Sequence, residues 1–211
     1  QVGDDFHINP EEIEAKYFGV LTKLYNVARF ASQFEIPSNL DDAPEELPIE
    51  DRWILAEFAK TMEKVENGWK DLDIYTATQS LKTFGTGVLP SHWLEMAKSR
   101  LYGDDKKAAW TIHRIVRDLM TALSPVCPFF THHISTTLYS NSAVDVRNFP
   151  NRTVKNDDLC SLTKIIEDFN GATWRTKKDA GLPLNAPIHG IIIPDELKDF
   201  KSILTQMHKL E

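Results

Sequence analysis

The residues best suited to binding chemistry lie between Trp93 and Phe130, where a basic and aromatic cluster joins two helical patterns. Six Lys and Arg residues fall between Lys98 and Arg117, against only two acids, Asp104 and Asp105. In a chain of net charge −7, such a local concentration of cations indicates a surface that meets an anionic partner. The alternative is an ordinary solvated helix face.

Neither catalysis nor metal binding is predicted from this chain. Cys127 and Cys160 are the only cysteines and lack a paired CxxC spacing. The adjacent His132 and His133 point about 100° apart on a helix, so they cannot share a metal. The Gly85-Thr-Gly87 sequence lies inside a helical pattern, where a kink explains it better than a phosphate-binding loop. We therefore expect no catalytic residue, metal ligand or cofactor within these residues.

Length and composition are those of a globular protein. The chain has 211 residues, of which 42% are hydrophobic and 26% charged, enough for one full core and a smaller appendage. No apolar run approaches the roughly 20 residues of a membrane span, and two cysteines without a disulfide framework favour a reducing cytoplasm. The negative net charge argues against a general nucleic-acid coat, and neither DNA nor a membrane is an expected partner.

Helical periodicity dominates as far as Pro150 and predicts a mainly α helical bundle. The linker between Pro37 and Pro48 is acidic. The predicted helices run from Asn9 to about Phe34, from Ile49 to Trp69, from Ile74 to Tyr102 with an interruption at Gly85–Pro90, from Asp104 to Leu123, and from Pro128 to Tyr139. The core predicted from these patterns includes Leu21, Leu24, Phe58, Met62, Leu81, Ile112, Val116 and Leu119.

The pattern changes after Pro150. A helix from Asp157 to about Lys177 leads into a turn-rich stretch, a β-like run at Ile188–Ile193 and a further helix from Asp195 to about Met207. Because a lone strand cannot satisfy its own backbone groups, its partner is expected beyond the ends of this chain. Residues 1–150 are thus predicted to form a helical domain, and residues 151–211 a smaller, incomplete and less stable α/β appendage.

Five ordered segments resemble the anticodon-binding helical domain of class Ia aminoacyl-tRNA synthetases, the valyl, isoleucyl, leucyl and methionyl group. The resemblance covers about residues 1–150. Its segments are Lys23–Phe30, Asp51–Leu55, Trp93–Gly103, Ser124–Thr131 and Asn148–Pro150.

Within this group, the valyl branch is favoured over the isoleucyl branch. Gly3–Phe6 and the run from Asp168 to Ile188 both resemble segments of valyl enzymes. The HIGH and KMSKS signatures that bind ATP in this class do not occur here. The resemblance therefore implies tRNA as partner, with ATP-dependent valine activation in a catalytic domain of the parent enzyme. A helical protein-interaction module without RNA binding is the alternative of another class.

The resemblance also implies which residues contact tRNA. Asn26 and Arg29 would read base edges, Phe30 would stack on a base, and the basic residues from Lys98 onward would hold phosphates. The full predicted set is Asn26, Arg29, Phe30, Lys98, Arg100, Tyr102, Arg114 and Arg117.

Each of these predictions has a structural alternative. Phe30 follows Val27 by three and could belong to the core. Arg114 and Arg117 share a helix face and could pair with Asp118 or Asp104. For the pair Lys177-Lys178, contact with tRNA and packing on another region are both open.

Overall fold

The computed structural model describes residues 9–14, 18–139, 149–150 and 157–211. Across these ranges the protein is mainly α-helical, as predicted, and no described helix is long and apolar enough to cross a membrane. The Gly3–Phe6 segment and Asn148 lie outside the described residues. The α-helices are α1 (Pro10–Ile13), α2 (Gly19–Ala31), α3 (Ile49–Lys70), α4 (Ile74–Thr83), α5 (Leu94–Tyr102), α6 (Lys106–Leu123), α7 (Pro128–Leu138), α8 (Asp157–Cys160), α9 (Thr163–Asp179) and α10 (Lys201–His208).

Short polar caps explain where several helices begin. The Asn9 side chain accepts a hydrogen bond from the Glu11 amide at the start of α1. Asp73 accepts from the Thr76 amide at the start of α4, and the Asp105 carboxylate accepts from two amides at the start of α6. Because these donors have no partner within their own helices, local sequence sets these boundaries.

The interruption predicted at Gly85–Pro90 takes the form of a π-helical segment, Phe84–Trp93, which links α4 to α5. It lies directly against α2. A Cβ atom at Gly85 would come within 2.7 Å of the Leu24 side chain, so a larger residue here would push the Leu24 side chain out of its place. The π-helical segment therefore sets the distance between α2 and α5, the two helices that carry most of the predicted RNA contacts.

The strand predicted at Ile188–Ile193 is wrong. Ile188 makes a single parallel bridge to Leu210, with its amide 3.0 Å from the Lys209 carbonyl and its own carbonyl 3.0 Å from the Glu211 amide. The backbone groups of Ile188 are thus satisfied within the chain, by the segment that follows α10. β-Branched composition favours a strand locally, but tertiary contacts decide the conformation.

A single hydrophobic core joins the bundle to the C-terminal segment. Seven of the eight predicted core residues are buried, and Leu21 is half-buried. Leu197, Phe200 and Leu204 belong to the same cluster of buried side chains. Phe200, at the end of the 3₁₀ helix Asp195–Phe200, packs edge-on against Trp53 with ring centroids 6.3 Å apart. The predicted division at residue 150 therefore coincides with no break in the core.

Candidate nucleic-acid interface

Three aromatic rings meet where α2 and α5 end, and we call Phe30, Phe34 and Tyr102 the aromatic edge. The centroids of Phe30 and Tyr102 are 6.0 Å apart, and Phe34 lies 5.1 Å from Phe30 and 5.8 Å from Tyr102, all in edge-to-face geometry. Tyr102 is 65% exposed, whereas Phe30 is half-buried against the core. The cluster is thus held in place by packing and presents one ring openly to solvent.

An open groove of about 700 Å³ adjoins this edge. It has three walls, formed by α2, by the π-helical segment with the start of α5, and by the C-terminal segment. The residues that the three walls contribute include Asn26, Phe30, Pro90, Lys98, Trp174 and Asn185. Apolar surface with a few polar groups converging on it is typical of a ligand-binding cleft.

The structure brings together several of the residues predicted to contact tRNA. Asn26, Phe30 and Lys98 line the groove, and Tyr102 borders it through its contact with Phe30. Arg29 is exposed one turn from Asn26 and makes no ion pair with any described residue. The tRNA contacts of these five residues stay predictions, now with a common surface.

Lys98 already forms an ion pair on its own helix. Its ammonium lies 2.5 Å from the Glu95 carboxylate, and the two side chains are 45% and 39% exposed. Exposed pairs of this kind contribute about 0–1 kcal/mol, so an incoming phosphate can compete for Lys98 at small cost.

Arg100 has a structural role that the sequence prediction missed. Its guanidinium is 15% exposed and donates to Glu50, to both carboxylate oxygens of Asp51 and to Asp105, at 2.8–3.0 Å. Trp93 also donates to Asp51, at 3.0 Å. Burial raises the pKa of Asp51 and Glu50, and Arg100 acts in the opposite direction. With its donors engaged by three carboxylates, Arg100 ties α3, α5 and the start of α6 together, and we withdraw it as a phosphate contact.

Arg114 and Arg117 follow the alternative of ordinary pairing. Arg114 is 3% exposed and donates to Asp118 at 2.5 Å and to the Leu40 carbonyl at 2.8 Å. Arg117 pairs with Asp118 at 2.9 Å and with Asp41 at 2.8 Å. Both arginines anchor the acidic linker to α6, and a buried guanidinium such as that of Arg114 has no route to a phosphate.

Residues 51–192 match the family model described as the anticodon-binding domain of tRNA ligase. The chain belongs to this family. The match covers the π-helical segment, α5 and Trp174, and it continues past residue 150 to include the Asp168–Ile188 run.

Curated relatives of this anticodon-binding domain extend the likeness to α2. A valine–tRNA ligase of Saccharolobus solfataricus is 31% identical over 190 residues, which are 89% of this chain and 22% of the relative. Those of Aeropyrum pernix and Pyrobaculum aerophilum are 27% and 28% identical, over 99% and 100% of this chain and 26% and 27% of the relatives. The chain therefore spans about a quarter of the length of these relatives.

The C-terminal wall of the groove was missed by the sequence analysis. Trp174 lies on α9 and is followed by Arg175, Lys177 and Lys178. The Lys98–Tyr102 segment has the same mixture of aromatic and basic residues. Lys178 is exposed, whereas Lys177 is buried and donates to two backbone carbonyls. The anticodon-binding domain thus gains a third side of its groove from residues assigned to an appendage.

Proposed function

We propose that this chain binds the anticodon stem-loop of a tRNA, with tRNA-Val as its ligand, as the C-terminal part of a cytoplasmic ATP-dependent valine–tRNA ligase. Membership of the anticodon-binding family supports the tRNA ligand. The names of the relatives and the resemblance of Asp168–Ile188 to valyl enzymes support the valyl branch over the isoleucyl branch.

The observation that carries the proposal is the convergence of Asn26, Phe30 and Lys98 on one groove beside the aromatic edge. Bases of an anticodon loop are unpaired, so they can be turned outward, stacked on aromatic rings and hydrogen-bonded along their edges. The Asn26 amide offers both donor and acceptor, and Phe30 and Tyr102 offer ring surface. Arg29 and Lys98 supply positive charge for the flanking phosphates.

This assignment retains five of the eight residues predicted from sequence. Asn26, Arg29, Phe30, Lys98 and Tyr102 remain the proposed RNA contacts. The other three residues hold α3, α5, α6 and the acidic linker together, so they affect RNA binding only through the shape of the surface. They are Arg100, Arg114 and Arg117.

The rest of the ligase reaction belongs to the parent enzyme in this proposal. Valine activation needs ATP bound by the HIGH and KMSKS loops of a catalytic domain, and this chain contains neither signature. Its contribution is to hold the anticodon end of the tRNA while that domain acts on the acceptor end. We expect the isolated chain to show no valine-dependent exchange of pyrophosphate into ATP, and measurable exchange would require an active site within these residues.

A filter-binding titration with transcribed tRNA-Val at two salt concentrations tests the proposal. Binding through phosphate contacts releases counterions, so the affinity must fall as salt rises. Transcribed tRNA-Ile serves as the comparison and should bind more weakly. Tighter binding of tRNA-Ile would favour the isoleucyl branch, and no binding of either tRNA would favour a protein-interaction module.

A further inference from the structure

We propose that the C-terminal segment, through Trp174 and Asn185, completes a pocket that takes up one unpaired nucleobase of the anticodon loop. The inference rests on the proposed tRNA-binding function and deepens it, because it assigns part of the base-binding site to residues beyond the helical bundle. Four features of the groove support it: a fixed aromatic ring, an anchored loop, unengaged hydrogen-bonding groups and complementary charge.

Neighbouring side chains fix the Trp174 ring in position, where a base could stack on it. Its ring contacts the rings of His92 and His208, with centroids 5.7 Å and 5.6 Å away. A hydrogen-bonded row fixes these two histidines, because His208 Nε2 lies 2.8 Å from Asn170 Oδ1 and Asn170 Nδ2 lies 3.0 Å from His92 Nδ1. A ring immobilised in advance loses little entropy when a base stacks on it.

The loop that carries Asn185 is anchored beside this ring. Lys177 is fully buried, and its ammonium donates to the Leu184 carbonyl at 2.8 Å and to the His208 carbonyl at 2.7 Å. One buried cation therefore ties the loop preceding Ile188 to the end of α10. Asn185 directly follows the anchored carbonyl, so its position relative to Trp174 is defined by the fold.

Polar groups on facing walls of the groove are unengaged. The side chains of Asn185 and Asn26 are exposed and make no hydrogen bond with described residues, and the Trp174 indole N–H likewise donates none. An amide carries donors and an acceptor at the spacing of a base edge. Two such amides beside aromatic surface match a nucleobase better than an aliphatic peptide side chain.

Size and charge agree with a nucleotide. The groove volume of about 700 Å³ falls within the roughly 300–1,000 Å³ of clefts that bind drug-sized ligands, the size of a nucleoside. A second concavity shares Trp174 with the groove and is lined by Arg175 and Lys178. Both cations are exposed and make no ion pair with described residues. The phosphates flanking the inserted base would pass over these two residues.

The test uses the 211-residue chain and an anticodon stem-loop RNA of tRNA-Val. Asn185→Ala removes an exposed amide without breaking a contact, and Asn67→Ala does the same on an exposed turn of α3 outside the groove. We expect Asn185→Ala to raise the Kd about tenfold and Asn67→Ala to leave it unchanged. With an abasic nucleotide at one of the three anticodon positions, wild type and Asn185→Ala should bind equally.

Trp174→Phe provides a second readout while keeping an aromatic ring beside the two histidines. Base stacking quenches indole emission. Trp53, Trp93 and Trp110 are buried, and the half-buried Trp69 does not line the groove, so quenching on RNA binding should disappear in this variant. The base pocket is overturned if Asn185→Ala binds like wild type, if its loss persists with every abasic loop, or if quenching survives Trp174→Phe. In those cases, binding by the wild type still upholds the proposed function. Failure of the wild type to bind the stem-loop overturns both.

Discussion

Whether a polar group is already engaged decides, residue by residue, what an RNA would meet on this surface. Arg100 and Arg114 are occupied by carboxylates and carbonyls. Arg29, Asn26 and Asn185 are exposed and make no side-chain hydrogen bond with described residues. Positive charge alone is therefore a poor guide to the candidate RNA contacts, and we choose them by exposure and available hydrogen-bonding capacity.

Tyr102 is the residue on the aromatic edge whose role in stacking is easiest to isolate. Its ring is 65% exposed, so Tyr102→Ala should lower tRNA affinity by about 1–3 kcal/mol with little change in melting temperature. Tyr75→Ala, at a ring 58% exposed on α4, is the matched control. Phe30→Ala should show a similar loss of affinity together with lower stability, because Phe30 also packs against the core. If Tyr102→Ala binds tRNA normally, this ring has no stacking role.

Arg100 should matter for stability and not for direct RNA contact. Arg100→Met leaves Asp51 and Glu50 buried without their cation, which costs about 3–5 kcal/mol in comparable cases. Burial already raises the pKa of both carboxyls, and removal of the guanidinium raises it further. The folded variant therefore binds protons that the unfolded chain has released, so its loss of stability should be largest at neutral pH and shrink as the pH falls towards 4. Urea unfolding of both proteins at pH 7 and pH 4.5 measures this; an equal loss at both values would contradict it.

Helices α9 and α10 position the third wall of the groove. Burial, with a further contribution from the charge of Lys177, lowers the pKa of His208 to about 4. Asn170, Phe169 and Trp174 surround the same imidazole and bring no carboxylate to it. His208 is therefore neutral in the folded protein at neutral pH, with Nε2–H donating to Asn170, and its protonation would place a second buried positive charge beside Lys177.

Acidification should accordingly weaken this part of the fold. Because the folded pKa of His208 lies below the ordinary 6.5, its stabilising effect is complete above about pH 6.5 and is lost as the pH falls towards 4. The loss is at most about 3 kcal/mol, at about 1.4 kcal/mol per pKa unit. His208→Gln keeps a donor for Asn170 and should flatten the dependence of unfolding free energy on pH in this window. An unchanged pH dependence would show that His208 does not titrate in this way.

The boundaries of the helices could be predicted because neighbouring residues set them. Much of the candidate site could not, because its contacts join residues that lie far apart in the sequence. The caps at Asp73 and Asp105 and the break at Gly85 depend on neighbouring residues, so sequence could place them. Arg100 meets Glu50 and Asp51, which lie about 50 positions earlier, and no spacing rule reveals such partners. The contribution of Trp174 to the groove likewise depends on how α9 packs against the bundle, and Ile188–Ile193 has strand-like residues whose pairing is decided by Leu210.

The C-terminal segment and the bundle share one cluster of buried side chains. Phe200 is fully buried against Trp53, and Trp53 donates a hydrogen bond to Thr163 at 2.9 Å. Phe200→Ala should therefore destabilise the entire chain by about 3–5 kcal/mol, with a single unfolding transition by circular dichroism and by tryptophan fluorescence. Two separate transitions would support the less stable appendage expected from sequence.

If this chain recognises the anticodon of its tRNA, exchanging the anticodons of two tRNAs must change their affinities. Two transcripts are prepared, a tRNA-Val body carrying a non-cognate anticodon and a non-cognate body carrying the tRNA-Val anticodon. Their affinities for the 211-residue chain are measured beside those of the two parent tRNAs at one salt concentration. We expect affinity to follow the anticodon. The tRNA-Val body with the non-cognate anticodon should bind more weakly than tRNA-Val, and the non-cognate body with the tRNA-Val anticodon should bind more tightly than its parent. Affinity that follows the body, or that is equal for all four RNAs, would contradict anticodon recognition by this surface.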